Sequence, residues 1–268
     1  MALMVAGARW VLAIGFLALA VPTVAQDMMR YVDVNSPEMT SAEMTRAQVE
    51  AVLAAAKSGA PADFSGKRLS GLDLSGLDLS HAVLRAAKFN KTKLAGAKLD
   101  GAILDQAWLL NADLSDASLR GASIFAAQMR RAKLDRAELS GARIVADLTS
   151  ASLVDASLAG ANLAPDMKNQ SMGLMRAVLK SAKLEGANLR GANLARADHE
   201  FASLKGADLT GASLARALLA GADLTGVTLT DADLAGADLN SAKLIAPIGL
   251  DAAKNLDKAQ NLQRAVRQ

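Results

Sequence analysis

From residue 64 onward a large apolar residue recurs at every fifth position. The series runs without a break from Phe64 to Ile144, slips by one residue to Leu148, regains its first phase at Leu174 and continues to Leu244. An α-helix turns every 3.6 residues, so a five-residue period would spread these side chains around every face of a helix. The pattern therefore disfavours a helical repeat.

A second, smaller apolar residue accompanies each of these centres. Alanine stands two positions before most of them, as at Ala97, Ala112 and Ala187, and glycine or polar residues follow them. In an extended segment, residues two apart point to the same side, while glycine and polar residues let the chain turn. Short sides alternating with corners predict a closed coil, and small Ala beside large Leu suits a narrow lumen.

The repeated unit A-(D/N)-L-x-x, present for example at 112–116 and 192–196, resembles the repeat of the pentapeptide-repeat protein family, here in an exported bacterial member. The resemblance covers residues 62–246. It implies an all-β solenoid, a right-handed quadrilateral parallel β-helix with four units per coil. About 36 centres then imply about nine coils, with residues 20 apart stacked on one face.

Residues 1–25 have the features of a secretory signal peptide. Arg9 is the only charged residue there, and the apolar run from Trp10 to Val21 is followed by small or medium residues before Ala25. An N-terminal membrane anchor is the alternative, but the run holds about a dozen residues where a membrane span needs about 20. We expect cleavage near Ala25 and a periplasmic or secreted product, with no membrane span after cleavage.

The chain has no cysteine. In an oxidising compartment its stability must therefore come from packing rather than from disulfides. The absence of a cysteine near the cleavage point also excludes the thioether lipid anchor of bacterial lipoproteins.

Residues 26–61 are predicted to form an N-terminal segment with a capping helix. Thr40 with Glu43, or Thr45 with Gln48, matches a capping box, and an apolar stripe with helical spacing follows over 49–56. Such a helix would cover the strand edges of the first coil, which would otherwise pair with another molecule.

Two further irregularities mark the chain. Residues 164–173 interrupt the repeat and are predicted to form a loop that bulges from one corner, with the coils continuing above and below it. Residues 247–268 are predicted to form a C-terminal helical or irregular cap, because Leu250, Leu256 and Leu262 are spaced by six, which fits neither the repeat nor a regular helix.

The outward positions alternate in charge. Stacking at intervals of 20 would bring Asp73, Lys93, Asp113 and Lys133 into one column, which we interpret as solvated ion pairs between coils. Interleaved charges argue against a nucleic-acid-binding stripe. Some members of the resembled family mimic duplex DNA and protect topoisomerase from inhibitors, but they depend on a strongly acidic surface, and this chain has a net charge of +3.

Large apolar residues at outward positions are rare, since aromatic residues make up only 3% of the chain. Several of them fall on two neighbouring faces and could form one contact patch for a protein partner or a homodimer mate. Scattered surface hydrophobic residues are the alternative interpretation. The candidate patch consists of Val83, Ile103, Trp108, Leu110, Phe125 and Val145.

No catalytic pattern is present in the sequence. His81 and His199 are the only histidines, and no nucleophile elbow, phosphate-binding loop or HExxH motif occurs. His199 falls on an inward centre, where either a buried neutral imidazole near Asp198 and Glu200 or a local distortion is expected. We therefore predict no enzyme activity, no cofactor and no metal, and a protein-interaction or scaffolding solenoid. The alternative is a DNA-mimic, topoisomerase-binding protein.

Overall fold

The computed structural model describes residues 32–56, 60–167 and 175–267. The predicted signal peptide and its cleavage point lie outside these ranges. Parallel β-bridges join residues 20 apart, beginning with Asp63 to Val83 and Arg68 to Lys88. Four such bridges occur in each turn of the chain, so the solenoid is a four-sided parallel coil. The predicted 20-residue stacking interval is confirmed.

The four faces can be named after their first bridged residues. Face 1 holds positions 63, 83, 103, 123, 143, 162, 193, 213, 233 and 254; face 2 holds 68, 88, 108, 128, 147, 178, 198, 218, 238 and 260; face 3 begins at 73 and face 4 at 78. A corner is named by the two faces that it joins, so that the 1–2 corner lies between faces 1 and 2.

The interior of the coil is the predicted lumen of alanine and leucine. Ala112, Leu114, Ala187 and Leu189 are each 0% exposed, and the same pattern continues along both phases of the repeat. Where an aspartate or asparagine precedes the leucine, its side chain commonly accepts a hydrogen bond from the backbone N–H two residues later. Asp113 Oδ1 accepts from Ser115 N in this way at 3.1 Å. This local bond stabilises the bend into each corner.

The 1–2 corner departs from the regular repeat in two successive turns. Strand β1, Ser123–Gln128, crosses this corner in extended conformation and pairs in parallel with strand β2, Arg143–Asp147, with a register shift between Phe125 and Gln128. The frame slip shortens the β2 corner by one residue, because Arg143 and Asp147 occupy neighbouring faces only four positions apart.

The predicted insertion leaves the coil at the same corner, one turn later. Asn162 occupies face 1 and Val178 is the next residue on face 2, and Asp147 bridges directly to Val178. The coils therefore continue on both sides of the insertion, as predicted. Residues 168–173 of the predicted loop lie outside the described ranges.

An N-terminal segment covers the first turn of the coil. Helix α1 comprises Pro37–Thr40 and helix α2 comprises Arg46–Ala55. Thr45 and Gln48 form the capping box of α2, so of the two predicted boxes this one is used. Val49 is 0% exposed and joins the interior of the coil. Within the described ranges, no helix has the length and hydropathy to cross a bilayer.

The C-terminal residues extend the coil, where the sequence predicted a helical or irregular cap. Single 3-10 turns occupy Leu250–Ala252, Leu256–Lys258 and Leu262–Arg264. The residues between them bridge to the preceding turn, as Lys254 does to Asp233 and Gln260 to Asp238. The six-residue spacing is therefore a coil unit with a longer corner. The total of about nine coils stays a prediction.

Candidate protein-contact surface

Three residues of the predicted patch lie together on faces 1 and 2. Val83 and Ile103 are bridged neighbours in successive turns of face 1, and Trp108 lies on face 2 in the same turn as Ile103. All three side chains are partly exposed. The structure therefore places these three apolar side chains on two adjoining faces, where one partner could contact them.

Phe125 extends this group to the 1–2 corner. Its ring is partly exposed, and the Arg143 guanidinium lies 4.6 Å from the ring centroid, a cation–π arrangement. Arg143 also forms an ion pair at 3.7 Å with Asp166, near the start of the insertion. One arginine thus connects the apolar patch to the insertion.

Val145 is not part of the exposed surface, although the sequence placed it there. It is only 1% exposed and stands in register with Phe125 across β1 and β2. The shortened corner has one residue fewer with which to bend outward, and the insertion begins in the next turn along the axis. Val145 is consequently enclosed and contributes to packing.

Leu110 is also withdrawn from the predicted patch, because it is only 8% exposed. Its backbone N–H donates to Asn90 Oδ1 at 2.9 Å, and Asn90 Nδ2 donates to the carbonyl oxygen of Met39 in α1 at 3.0 Å. The N-terminal strap, which we define as residues 32–45, passes along the 2–3 corner at this level. A segment about 70 positions earlier in the sequence therefore shields Leu110.

Face 2 and the 2–3 corner carry exposed apolar residues that the sequence prediction missed. Phe201 is 67% exposed, and a Cβ on Gly221 would lie 2.6 Å from its ring, so the ring rests on the glycine of the next turn. Val178 and Leu218 are partly exposed on face 2. The signal available in the sequence was an aromatic residue two positions after an inward centre, where many units have glycine. In the structure this is a corner position, and Phe201 has a φ of 59° there.

Faces 3 and 4 carry the predicted columns of alternating charge. Lys93 Nζ lies 3.6 Å from Asp73, and Lys98 Nζ lies 3.8 Å from Asp78. The Ser75 hydroxyl and backbone N–H lower the pKa of Asp73, with Lys93 acting in the same direction. Lys93 and Lys98 therefore each have an acidic neighbour, and these turns of faces 3 and 4 differ from the apolar patch in both charge and polarity.

His199 occupies the inward position that the sequence predicted. Its side chain is 0% exposed, and neither ring nitrogen has a hydrogen-bond partner. Loss of solvation lowers the pKa of His199 to about 4, so the imidazole is neutral near pH 7. The neighbouring Asp198 pairs instead with Lys180 at 3.4 Å and Arg176 at 3.6 Å. Among the described residues, no group of three or more His, Asp or Glu side chains is placed to hold a metal ion.

Comparison with protein families gives one match, to the family described as pentapeptide repeats, in eight copies. The matched residues are 68–106, 112–145, 174–211 and 207–244, which together make up more than half of the chain. No curated protein sequence matches the chain.

Several solved structures share the fold. HetL, a pentapeptide-repeat protein involved in the regulation of heterocyst differentiation in the cyanobacterium Nostoc, is 31% identical, with a TM-score of 0.54, over 84% of this chain and 97% of HetL. QnrB1, a plasmid-mediated fluoroquinolone resistance protein, is 15% identical over 74% of this chain and 90% of its own, with a TM-score of 0.34. A pentapeptide-repeat protein of the Arabidopsis thaliana thylakoid lumen is 34% identical over 38% of this chain and 65% of its own, with a TM-score of 0.22.

Proposed function

The chain belongs to the pentapeptide-repeat family and has its right-handed β-helical fold, and from this premise we propose that it is a non-catalytic protein-binding solenoid of the bacterial periplasm. Its partner is another protein or a second copy of the chain. The contact surface is the reduced patch of Val83, Ile103, Trp108 and Phe125.

The observation that carries this proposal is the contrast in polarity between the sides of the coil. Faces 3 and 4 present paired lysines and aspartates at Asp73–Lys93 and Asp78–Lys98. Face 1 instead presents Val83 and Ile103 in adjoining positions of successive turns. Tryptophan is among the residues that most often dominate binding energies at protein interfaces, and phenylalanine is enriched there. A rigid coil presents them in a fixed arrangement, which lowers the entropy cost of binding.

The periplasmic location rests on the sequence of residues 1–25. A short apolar run after one basic residue, with small residues before Ala25, supports export, and the lack of cysteine is compatible with an oxidising compartment. Cell fractionation tests this part separately. Recovery of the full-length chain in the cytosol would contradict it.

Within the described ranges, the lack of a convergent polar site supports a non-catalytic role. His199 faces a lumen of alanine and leucine, and the aspartates that recur on the outside bind backbone N–H groups of their own corners. The DNA-mimic alternative needs a surface of unbroken negative charge, and the pairing of Lys93 with Asp73 works against such a surface.

The test is site-specific photo-crosslinking in the periplasm followed by mass spectrometry. A photoreactive residue at position 103 of face 1 should capture a defined protein or a second copy. The matched control is position 133 of face 3, which lies in the next turn of the coil. A photoreactive residue there should give much less crosslinked product.

Replacing Trp108 and Phe125 together by serine supplies the second arm. The double variant should lose the crosslinked product and the corresponding partner in a pull-down, while light scattering reports any loss of self-association. Equal capture from positions 103 and 133, or an unchanged product in the double variant, would contradict the proposed surface.

A further inference from the structure

A cleft of about 340 Å³ separates the N-terminal strap from the 2–3 corner of the coil. Val34 of the strap forms one wall, and the corner contributes Leu110, Arg130, Arg131 and Thr149. Its volume is within the range of sites that bind small molecules, about 300–1,000 Å³. The cleft shares no residue with the proposed contact patch of Val83, Ile103, Trp108 and Phe125, and it is not needed for the function proposed above.

Arg130 is held in a fixed orientation at the cleft. Its Nε lies 3.0 Å from Asp147 Oδ2, while Asp147 Oδ1 accepts hydrogen bonds from the Thr149 backbone N–H at 2.9 Å and from its hydroxyl at 2.5 Å. A carboxylate anchored in this way fixes one edge of the guanidinium. The remaining N–H groups of Arg130 are then available to a ligand.

Arg131 supplies a positive charge that none of the described residues neutralises. Arg136 occupies the equivalent corner position on the next corner and pairs with Asp116, the residue 20 positions earlier, through two contacts of 2.8 Å. The residue 20 positions before Arg131 is the neutral Asn111. Within residues 32–56, 60–167 and 175–267, the Arg131 side chain has no hydrogen bond or ion pair.

The cleft also has an apolar side. Leu110 is 8% exposed and Val34 is partly exposed, and both line the space next to the arginines. Guanidinium groups match the planar geometry of a carboxylate, whereas the apolar side chains favour a hydrocarbon group over a fully hydrated inorganic ion. The combination therefore selects a ligand with one anionic end and one apolar end.

We propose that this cleft binds a small organic carboxylate, with its anionic end at Arg130 and Arg131 and its apolar end against Leu110 and Val34. Two sources share this chemistry: a free short-chain acid and the C-terminal residue of a peptide with an apolar side chain. Contacts of this number give affinities in the low-millimolar range for a ligand of about a dozen heavy atoms.

The experiment is a titration of the mature protein, followed by NMR, with four probes: N-acetylleucine, isovalerate, N-acetylleucine amide and inorganic phosphate. The two carboxylates should bind saturably, and the amide and phosphate should bind at least tenfold more weakly. Tighter binding of N-acetylleucine would indicate a peptide C-terminus as the natural source, and tighter binding of isovalerate a free acid.

Matched arginine variants locate the site. Arg131→Gln should weaken N-acetylleucine binding at least tenfold, and glutamine is compatible with this backbone because Gln106 occupies a similar corner position at φ 61°. Arg136→Gln should leave binding unchanged. The proposal is overturned if no carboxylate binds, if the amide or phosphate binds as well as the acids, or if both variants behave alike.

Discussion

A comparison of the regular 3–4 corner with the irregular 1–2 corner shows that the corners of this coil tolerate changes in length, whereas the interior stays constant. The 3–4 corner repeats in step from Asp116 to Arg136, whereas the 1–2 corner contains β1, the shortened β2 and, one turn later, the insertion. Yet Ile124 and Ile144, which precede these irregular corners, are as buried as any regular centre. The lumen keeps its residues while the corner changes its length.

This contrast follows in part from the bonds that the faces make between turns, although corners bond to one another as well, as Asp116 N–H does to the carbonyl oxygen of Asp135 at 2.9 Å. Each face bonds to the next turn beside its inward residue, as when Ile144 N–H donates to the carbonyl oxygen of Asn162 at 2.8 Å. The corner outside that bond can be shortened or lengthened without breaking it. A substitution in the lumen should therefore cost far more than one at a corner or on a face.

The largest effect is expected from overfilling the lumen. Ala137 is 0% exposed, so Ala137→Phe should lower the free energy of unfolding by more than the roughly 3 kcal/mol at the upper end of ordinary overpacking. Lys133→Ala, on an exposed position of face 3, is the control and should change little. Denaturant unfolding measures both, and the reverse ranking would contradict the inward assignment.

The lumen also contains a residue that should weaken it at low pH. The pKa of His199 is about 4 when folded and near 6.5 when unfolded. Above pH 6.5 the imidazole is neutral in both states; as the pH falls from 6.5 toward 4 only the unfolded chain takes up the proton, so the free energy of unfolding decreases. The loss should amount to about 3 kcal/mol.

His199→Leu should remove this pH-dependent loss of stability. It should also stabilise the protein at neutral pH, because both unpartnered ring nitrogens disappear. The difference between the variant and the original chain, measured from pH 7.5 to pH 4, isolates the imidazole from the carboxylates that titrate in both. A constant difference across that range would contradict a buried neutral histidine.

A smaller effect is expected where the strap meets the coil. Asn90→Ala leaves the Leu110 N–H and the Met39 carbonyl without their side-chain partner, at a cost of roughly 2 to 3 kcal/mol, and should make the strap more sensitive to limited proteolysis. Asn240→Ala, at the same corner position in a turn far from the strap, is the matched control. Equal protease sensitivity in the two variants would contradict the role assigned to Asn90.

The smallest effect on the free energy of unfolding is expected from truncating two valines that the sequence analysis placed in the same patch. Val145→Ala should lower the free energy of unfolding by about 2 kcal/mol, because Val145 is enclosed at the shortened corner. Val83→Ala, at a partly exposed position, should cost about half as much. If Val83→Ala proved the more destabilising, the burial assigned to these two positions would be wrong.

The sequence predicted the interior well because the inward positions recur at a fixed five-residue spacing, which depends only on residues close together in the chain. The inward direction of Ala137 and His199 follows from the spacing alone, and the stacking of Asp73 on Lys93 follows from the four units per coil that the family resemblance implies. The capping box at Thr45 was visible for the same reason, since its partner lies three residues away.

The sequence could not predict what covers the outside. The covering of Leu110 depends on the strap, and Val145 is buried at the corner that the frame slip shortens. The strap belongs to a distant part of the chain, and neither it nor the shortened corner follows from the five-residue period. The candidate patch therefore kept Val83, Ile103, Trp108 and Phe125 and lost the other two.

Because each described turn of the coil is bridged to the turns before and after it, the 20-residue stacking interval lets the length of the coil be changed by whole turns. Duplicating residues 203–222 would add one turn and move the two ends about 4.8 Å farther apart. The surfaces at either end would keep their local shape. Such a molecule can act as a spacer whose reach is changed in discrete steps, without redesign of the parts that it separates.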